Sequence, residues 1–124
     1  MSAALLLFAL SCGEAQDSGG EALCDRDPPL SYDLFGQAFM DTHCAGCHSS
    51  LLPLEDREGA TVGVDFDTYA GVVQWASRIA ARALGEAPDM PPGGGPAQSE
   101  LVLLAEWLSC SVIPDHEALE GAEP

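Results

Sequence analysis

The stretch Thr42–Ser50, THCAGCHSS, is the most informative part of the chain. It holds two cysteines, Cys44 and Cys47, and His48 directly follows the second. On a helical backbone the two thiols would stand about one turn apart, and the imidazole would come next. Such a close set of two thiols and one imidazole indicates a bound group or a redox pair.

Three chemistries fit this stretch. The first is covalent attachment of haem, in which the two thiols bind the vinyl groups and the imidazole binds the iron; CAGCH has the c-type haem-attachment pattern. The second is a redox dithiol, which needs a strand–turn–helix setting, and no strand is predicted before this stretch. The third is half of a zinc site, although no second close pair of ligands is visible. Its other ligands would come from Cys24, Cys110, His43 or His116.

Apolar residues at helical spacing predict an all-α domain without strands. The predicted helices cover 32–43, 68–84 and 98–113, and Asp67 is the expected cap of the second. Their expected apolar faces comprise Leu34, Phe35, Ala38 and Phe39; Tyr69, Val72, Val73, Ala76, Ile79 and Ala83; and Leu101, Leu103, Leu104, Trp107 and Leu108. Residues 49–66 and the Pro- and Gly-rich segment 85–96 are predicted loops.

The first residues predict export. The apolar run in 1–11 is too short to span a bilayer and resembles a bacterial lipoprotein signal that is cut before Cys12, which would then carry lipid. In the alternative, the signal is an ordinary cleaved one and Cys12 is incidental. Residues 12–31 are interpreted as a flexible acidic tether and 114–124 as a frayed acidic tail. The expected location is the periplasm, or a membrane surface outside the cytoplasm if Cys12 is lipidated.

The charge limits the partners. Twenty acidic residues against four basic ones give a formal net charge of −16. A surface this acidic repels nucleic acid and anionic lipid and favours a protein partner with a basic docking face. No nucleophile–base pair, P-loop or HExxH pattern is present, so we do not expect an enzyme.

Residues 32–113 resemble a small class I c-type cytochrome. Gly36 stands eight residues before Cys44, Trp107 lies in the last helix, and MPP precedes that helix. An aromatic residue is common in the family four positions before the first cysteine, where this chain has Met40. The resemblance implies a cytochrome c-like fold of three main helices around one covalent haem c per chain, with the last helix crossing the first at Gly36.

The resemblance also implies which residues hold the haem. Cys44 and Cys47 would attach it, and His48 would be one axial ligand, with its other ring nitrogen bound to a backbone carbonyl in the following loop. Met90, on a stiff loop, would be the second ligand. Met40 is expected to pack in the core, and bis-histidine ligation through His43 or His116 is a minor alternative.

The remaining cysteines are expected to form a disulfide, and two arginines and a tryptophan are candidates for contacts to haem. If Cys12 is lipidated and the motif cysteines hold haem, Cys24 and Cys110 remain, and an exported protein favours a disulfide between them over two unpaired thiols. Trp75, Arg78 and Arg82 are candidates for contacts to haem propionates, or else form a solvated helix face. Tyr69 and Trp107 are expected in the core.

The function expected from these observations is that of a monomeric single-electron carrier. Two alternatives remain open at this point. One is a haem-based sensor or ligand-binding module with a displaceable distal ligand. The other is an interaction domain stabilised by zinc or by a dithiol, without haem.

Overall fold

A computed structural model describes residues 22–122, and in that range the chain forms helices and turns but no strand. The prediction of an all-α fold is therefore confirmed. Its α-helices are α1 (Gln37–His43), α2 (Tyr69–Gln74), α3 (Ala76–Leu84), α4 (Gln98–Trp107) and α5 (Ile113–Glu120). Short 3₁₀ turns cover Ala22–Cys24 and Leu54–Asp56, and π-helical turns cover Tyr32–Gly36 and Leu108–Val112. None of the helices described is long and apolar enough to cross a membrane. The predicted signal and the proposed lipidation at Cys12 lie outside the described residues.

The first helical segment begins with the π-helical turn and continues directly into α1. The Ser31 hydroxyl caps it by accepting a hydrogen bond from the Leu34 N–H at 3.2 Å. Its buried face holds Gly36, Phe39 and Met40, whereas Leu34 is 65% exposed. The predicted helix is therefore confirmed, but its buried face lies one position later in the chain than the predicted face. Residues four apart lie on the same side of a helix, and here the buried side runs through Gly36 and Met40.

The second predicted helix is two helices, α2 and α3, which meet at Trp75. Trp75 has φ −107° and ψ 12°, outside the α-helical range, and its indole N–H donates to the Gly63 carbonyl at 3.1 Å. The predicted cap is also wrong. Thr68 accepts the Gly71 N–H, while the Asp67 carboxylate is occupied by the backbone N–H and hydroxyl of Ser50.

The last predicted helix is longer than expected. The chain runs from α4 through the π-helical turn into α5, so the prediction of a frayed segment after Pro114 is wrong up to Glu120. Pro114 lies in the first turn of α5, where no helical N–H bond is required. The Tyr69 hydroxyl donates to Asp115 Oδ2 at 2.5 Å, which attaches α5 to α2.

The helices pack around Trp107, which is fully buried. A Cβ atom on Gly36 would overlap the ring atoms Cζ2 and Cη2 of Trp107, so the last helix crosses the first at this glycine, as the resemblance implied. Tyr32 and Phe35 place their rings 6.4 and 5.9 Å from the Trp107 ring. The buried core comprises Phe39, Met40, Phe66, Val72, Val73, Ala76, Ile79, Leu104, Trp107, Leu108 and Val112.

The segment before the first helix is attached to the last helices. Cys24 and Cys110 form a disulfide with a Cα–Cα distance of 5.5 Å, which confirms the predicted pair. Nearby, Arg26 forms a two-point ion pair with Glu106, with Nη2 to Oε2 at 2.9 Å. The Leu30 carbonyl also accepts from the Ser111 hydroxyl at 2.9 Å. The described part of the predicted tether is therefore fixed to the domain.

Candidate functional site

The CAGCH stretch forms the turn that ends α1. The N–H groups of Cys44 and Ala45 both donate to the Met40 carbonyl, at 2.9 and 2.8 Å. The N–H groups of Cys47 and His48 then both donate to the Cys44 carbonyl, at 3.1 and 2.9 Å. This turn brings both thiols and the imidazole to one end of α1.

Both motif cysteines are free and half-buried. Burial raises the pKa of the Cys44 thiol to about 11, so the thiol stays protonated at neutral pH. A redox dithiol needs a thiolate, which such proteins obtain by lowering the pKa of one cysteine. In addition, no strand precedes the motif within the described residues. These observations disfavour a redox dithiol in which Cys44 is the attacking thiol.

His48 is held by the loop that follows it. Its Nδ1 lies 2.9 Å from the Val64 carbonyl oxygen, which confirms the expected contact with a backbone carbonyl. Its ring stacks on Phe66, with ring centroids 4.8 Å apart, and the Phe66 N–H donates to the His48 carbonyl at 2.8 Å. A proton on Nδ1 leaves the lone pair on Nε2, which has no hydrogen-bond partner in residues 22–122. The imidazole is thus fixed in the tautomer that binds a metal through Nε2.

Arg57 organises the loop that holds His48. Its side chain is 3% exposed, and its guanidinium donates to Asp65 Oδ1 at 2.6 Å and to the Thr61 carbonyl at 2.8 Å. It also donates to the carbonyls of Ala60 and Ser49. Sequence reasoning missed Arg57, as well as Val64 and Phe66. The available signal was that Arg57 is one of only four basic residues and lies in a loop without apolar periodicity.

The loop with Met90 is attached to the end of α3. The N–H groups of Asp89 and Met90 donate to the Arg82 carbonyl at 2.9 and 3.1 Å, and the Arg82 guanidinium forms a two-point ion pair with Asp89. Farther along this loop, a Cβ on Gly95 would lie 3.6 Å from Nδ1 of His43. The Met90 loop therefore passes beside the residue that precedes the motif, and Met90 itself is half-buried. Met40, in contrast, is fully buried in the core, as expected.

The other predicted site residues are engaged elsewhere or are exposed. The Trp75 indole N–H donates to the Gly63 carbonyl, and the Arg82 guanidinium donates to the Asp89 carboxylate. Arg78 is exposed and has no side-chain hydrogen bond or ion pair to the described residues. Their contact with haem propionates stays a prediction.

The residues required for a zinc site have other partners. Cys24 and Cys110 are bonded to each other. His43 Nε2 lies 3.1 Å from Glu100, and His116 Nε2 lies 3.6 Å from Glu120. Across residues 22–122, no group of three or more His, Cys, Asp and Glu side chains is arranged to hold a metal ion.

The donor set of the motif fits a covalently bound haem. Two free thiols on one turn would supply the two thioether bonds, and the adjacent imidazole, with its Nδ1 occupied, would bind iron through Nε2. Comparisons with protein-family models, with curated proteins and with solved structures found no match.

Proposed function

We propose that residues 32–113 form a monohaem c-type cytochrome domain that carries single electrons. In this proposal Cys44 and Cys47 would attach one haem c, and His48 and Met90 would bind its iron. The observation that carries this proposal is the state of His48, which follows two free thiols in the chain: its Nδ1 is bound to the Val64 carbonyl, while Nε2 has no hydrogen-bond partner among the described residues.

The protein residues have distinct tasks in this proposal. When bound, the haem supplies an iron that cycles between the ferric and ferrous states. His48, held by Val64 and stacked on Phe66, keeps its ring in one orientation, so little rearrangement accompanies electron transfer. The Met90 thioether is a neutral, soft ligand that favours ferrous iron and raises the reduction potential. With His48 and Met90 both bound to it, the iron would supply electron transfer and not oxygen or peroxide chemistry.

The acidic surface governs the encounter with the redox partner. A net charge of −16 attracts a partner that presents a basic docking face and gives a weak encounter that salt weakens further. The proposed setting is the periplasm or the outer side of a membrane, with a lipid on Cys12 as the anchor. Within that setting the domain acts as a monomer.

The test uses the two methionines. The protein is produced with a cytochrome c maturation system, and wild type, Met90→Ala and Met40→Leu are compared by absorption spectroscopy. We expect Met90→Ala to lose the weak sulfur-to-iron band of the ferric protein and to have a lower reduction potential, since the thioether ligand is gone. Met40→Leu conserves volume in the core and should keep both properties, at a cost in stability below about 1.5 kcal/mol.

Two results would contradict His/Met ligation. One is a sulfur-to-iron band that persists in Met90→Ala. The other is a wild-type spectrum that is high-spin and shifts with carbon monoxide, which would support the haem-based sensor instead. A protein without covalent haem would leave the zinc or dithiol alternatives.

A further inference from the structure

A buried guanidinium lies next to the loop carbonyl that holds His48. Arg57 is 2% exposed, in a chain with only four basic residues. Burying a charged group costs several kcal/mol unless its donors are satisfied. Here the acceptors are one carboxylate, that of Asp65, and a set of backbone carbonyls. The carbonyls are those of Ser49, Ala60, Thr61 and Val64.

These contacts include the Val64 carbonyl, which is the hydrogen-bond acceptor for the His48 ring. The Val64 carbonyl oxygen lies 2.9 Å from Nδ1 of His48 and 3.4 Å from Nη2 of Arg57. The same Nη2 donates to Asp65 Oδ1 at 2.6 Å and to the Thr61 carbonyl at 2.8 Å, and its contact with the Val64 carbonyl is the longest of the three. Through Ser49 it further holds the residue that follows His48. One guanidinium thus fixes both ends of the loop between His48 and its carbonyl partner.

We propose that Arg57 is a positioning residue for the iron-binding imidazole and that it raises the reduction potential of the bound haem. This inference rests on the proposed function. A carbonyl that faces a cation is a weaker acceptor, so the Nδ1–H of His48 is less polarised and the ring donates less electron density to iron. The cation also opposes the additional positive charge of ferric iron, and Asp65 offsets part of this effect.

The test compares Arg57 with a matched exposed arginine. Arg57→Gln and Arg26→Gln change the net charge equally, but Arg26 is exposed and pairs with Glu106, whereas Arg57 is buried beside the carbonyl partner of His48. We expect the potential of the haem-loaded protein to fall in Arg57→Gln by several times the shift in Arg26→Gln. We also expect the His48 Nδ1–H of the ferrous protein to exchange with solvent at least about tenfold faster in Arg57→Gln, as measured by NMR, because its acceptor is no longer held.

Two further variants keep the test decisive if Arg57→Gln does not fold. Arg57→Lys retains the cation but cannot bind the whole set of carbonyls, so it should fall between wild type and Arg57→Gln in potential while exchanging faster than wild type. Asp65→Asn leaves the Arg57 cation less neutralised and should raise the potential by more than Asp56→Asn, an exposed change of equal charge in the same loop.

The outcomes distinguish a failure of the role of Arg57 from a failure of the proposed function. If wild type carries covalent haem but the Arg57 and Asp65 variants shift the potential no more than their exposed controls and leave the exchange rate unchanged, only the role of Arg57 is rejected. If wild type carries no covalent haem, the proposed function and the role of Arg57 are both rejected.

Discussion

At the scale of single residues, Gly36 shows how one position controls the helix crossing. The Trp107 ring lies so close to the Cα atom of Gly36 that there is no room for a Cβ atom at this position. The sequence indicated this glycine only through the resemblance, because nothing in its local pattern distinguishes a crossing point from an ordinary helical glycine.

Replacing Gly36 by Ala should destabilise the protein by about 1–3 kcal/mol, since the added methyl must displace Trp107 from a filled core. Urea unfolding measures the change, with Gln37→Ala on the exposed side of the same helix as a control that should stay within about 0.5 kcal/mol. The cost should be smaller in a Trp107→Phe background, which lacks the ring atoms that the methyl meets. Equal costs in both backgrounds would show that Trp107 is not the obstacle.

The motif residues were predictable from the sequence, but their supports were not. Cys44, Cys47 and His48 are adjacent in the chain, so their spacing is visible directly. Val64 supports His48 through a backbone carbonyl, which has no side-chain signature and comes sixteen positions later. Arg57 likewise acts mainly on backbone carbonyls, so no complementary residue type in the sequence indicates its role.

At the scale of elements, periodicity predicted the helices and missed their interruptions. The apolar spacing across α2 and α3 is nearly continuous, but Trp75 leaves the helical conformation where its indole N–H binds the Gly63 carbonyl. A contact from a distant loop overrides local propensity here. The end of the last helix was misjudged for a similar reason. Acidic composition predicted fraying, whereas the contact of Asp115 with Tyr69 attaches α5 to α2.

The Cys24–Cys110 disulfide joins the first described turn to the π-helical turn after α4, across 86 residues. Removing it by Cys24→Ser with Cys110→Ser should lower the free energy of unfolding by about 3–5 kcal/mol, since the cross-link restricts the unfolded chain. Urea unfolding of wild type and the double variant measures the loss. In the haem-loaded protein of the proposed function, the absorption spectrum serves as the control and should be unchanged, because Cys44, Cys47 and His48 are kept. An unchanged free energy of unfolding, or alkylation of both cysteines in unreduced wild type, would contradict this role.

At the scale of the whole molecule, the positive charges are few and most are committed to internal contacts. Arg26 pairs with Glu106, Arg57 with Asp65 and Arg82 with Asp89, while Arg78 remains exposed. Most Asp and Glu side chains in residues 22–122 are exposed, so their charge is little compensated. The composition predicted the net charge, but not which arginines form ion pairs.

The same contacts predict loss of stability in acid. Hydrogen bonds lower the pKa of several carboxyl groups. Ser50 lowers the pKa of Asp67, Arg82 that of Asp89, and Arg26 that of Glu106. The pKa of Glu100 is lowered first by the Ala97 N–H and then by His43. Because each pKa is lower in the folded than in the unfolded state, this stability is fully present above the unfolded values, 3.8 for Asp and 4.5 for Glu, and is lost as the pH falls through the folded values.

Urea unfolding between about pH 5 and pH 3 should therefore show a falling midpoint. The fall should be smaller in Asp67→Asn, which removes one of these groups, than in Asp56→Asn, an exposed carboxylate without a side-chain hydrogen bond to the described residues. A midpoint that rises throughout this range would mean that relief of charge repulsion outweighs these contacts.

The most direct measurement is the mass of the protein after denaturation and an acid wash, when it has been produced with a cytochrome c maturation system. Two thioether bonds survive this treatment, so wild type should weigh its mature polypeptide, with any N-terminal lipid, plus one haem. Cys24→Ser with Cys110→Ser should keep the haem, whereas Cys44→Ala with Cys47→Ala should lose it. Wild type that retains no tetrapyrrole mass would contradict the central claim.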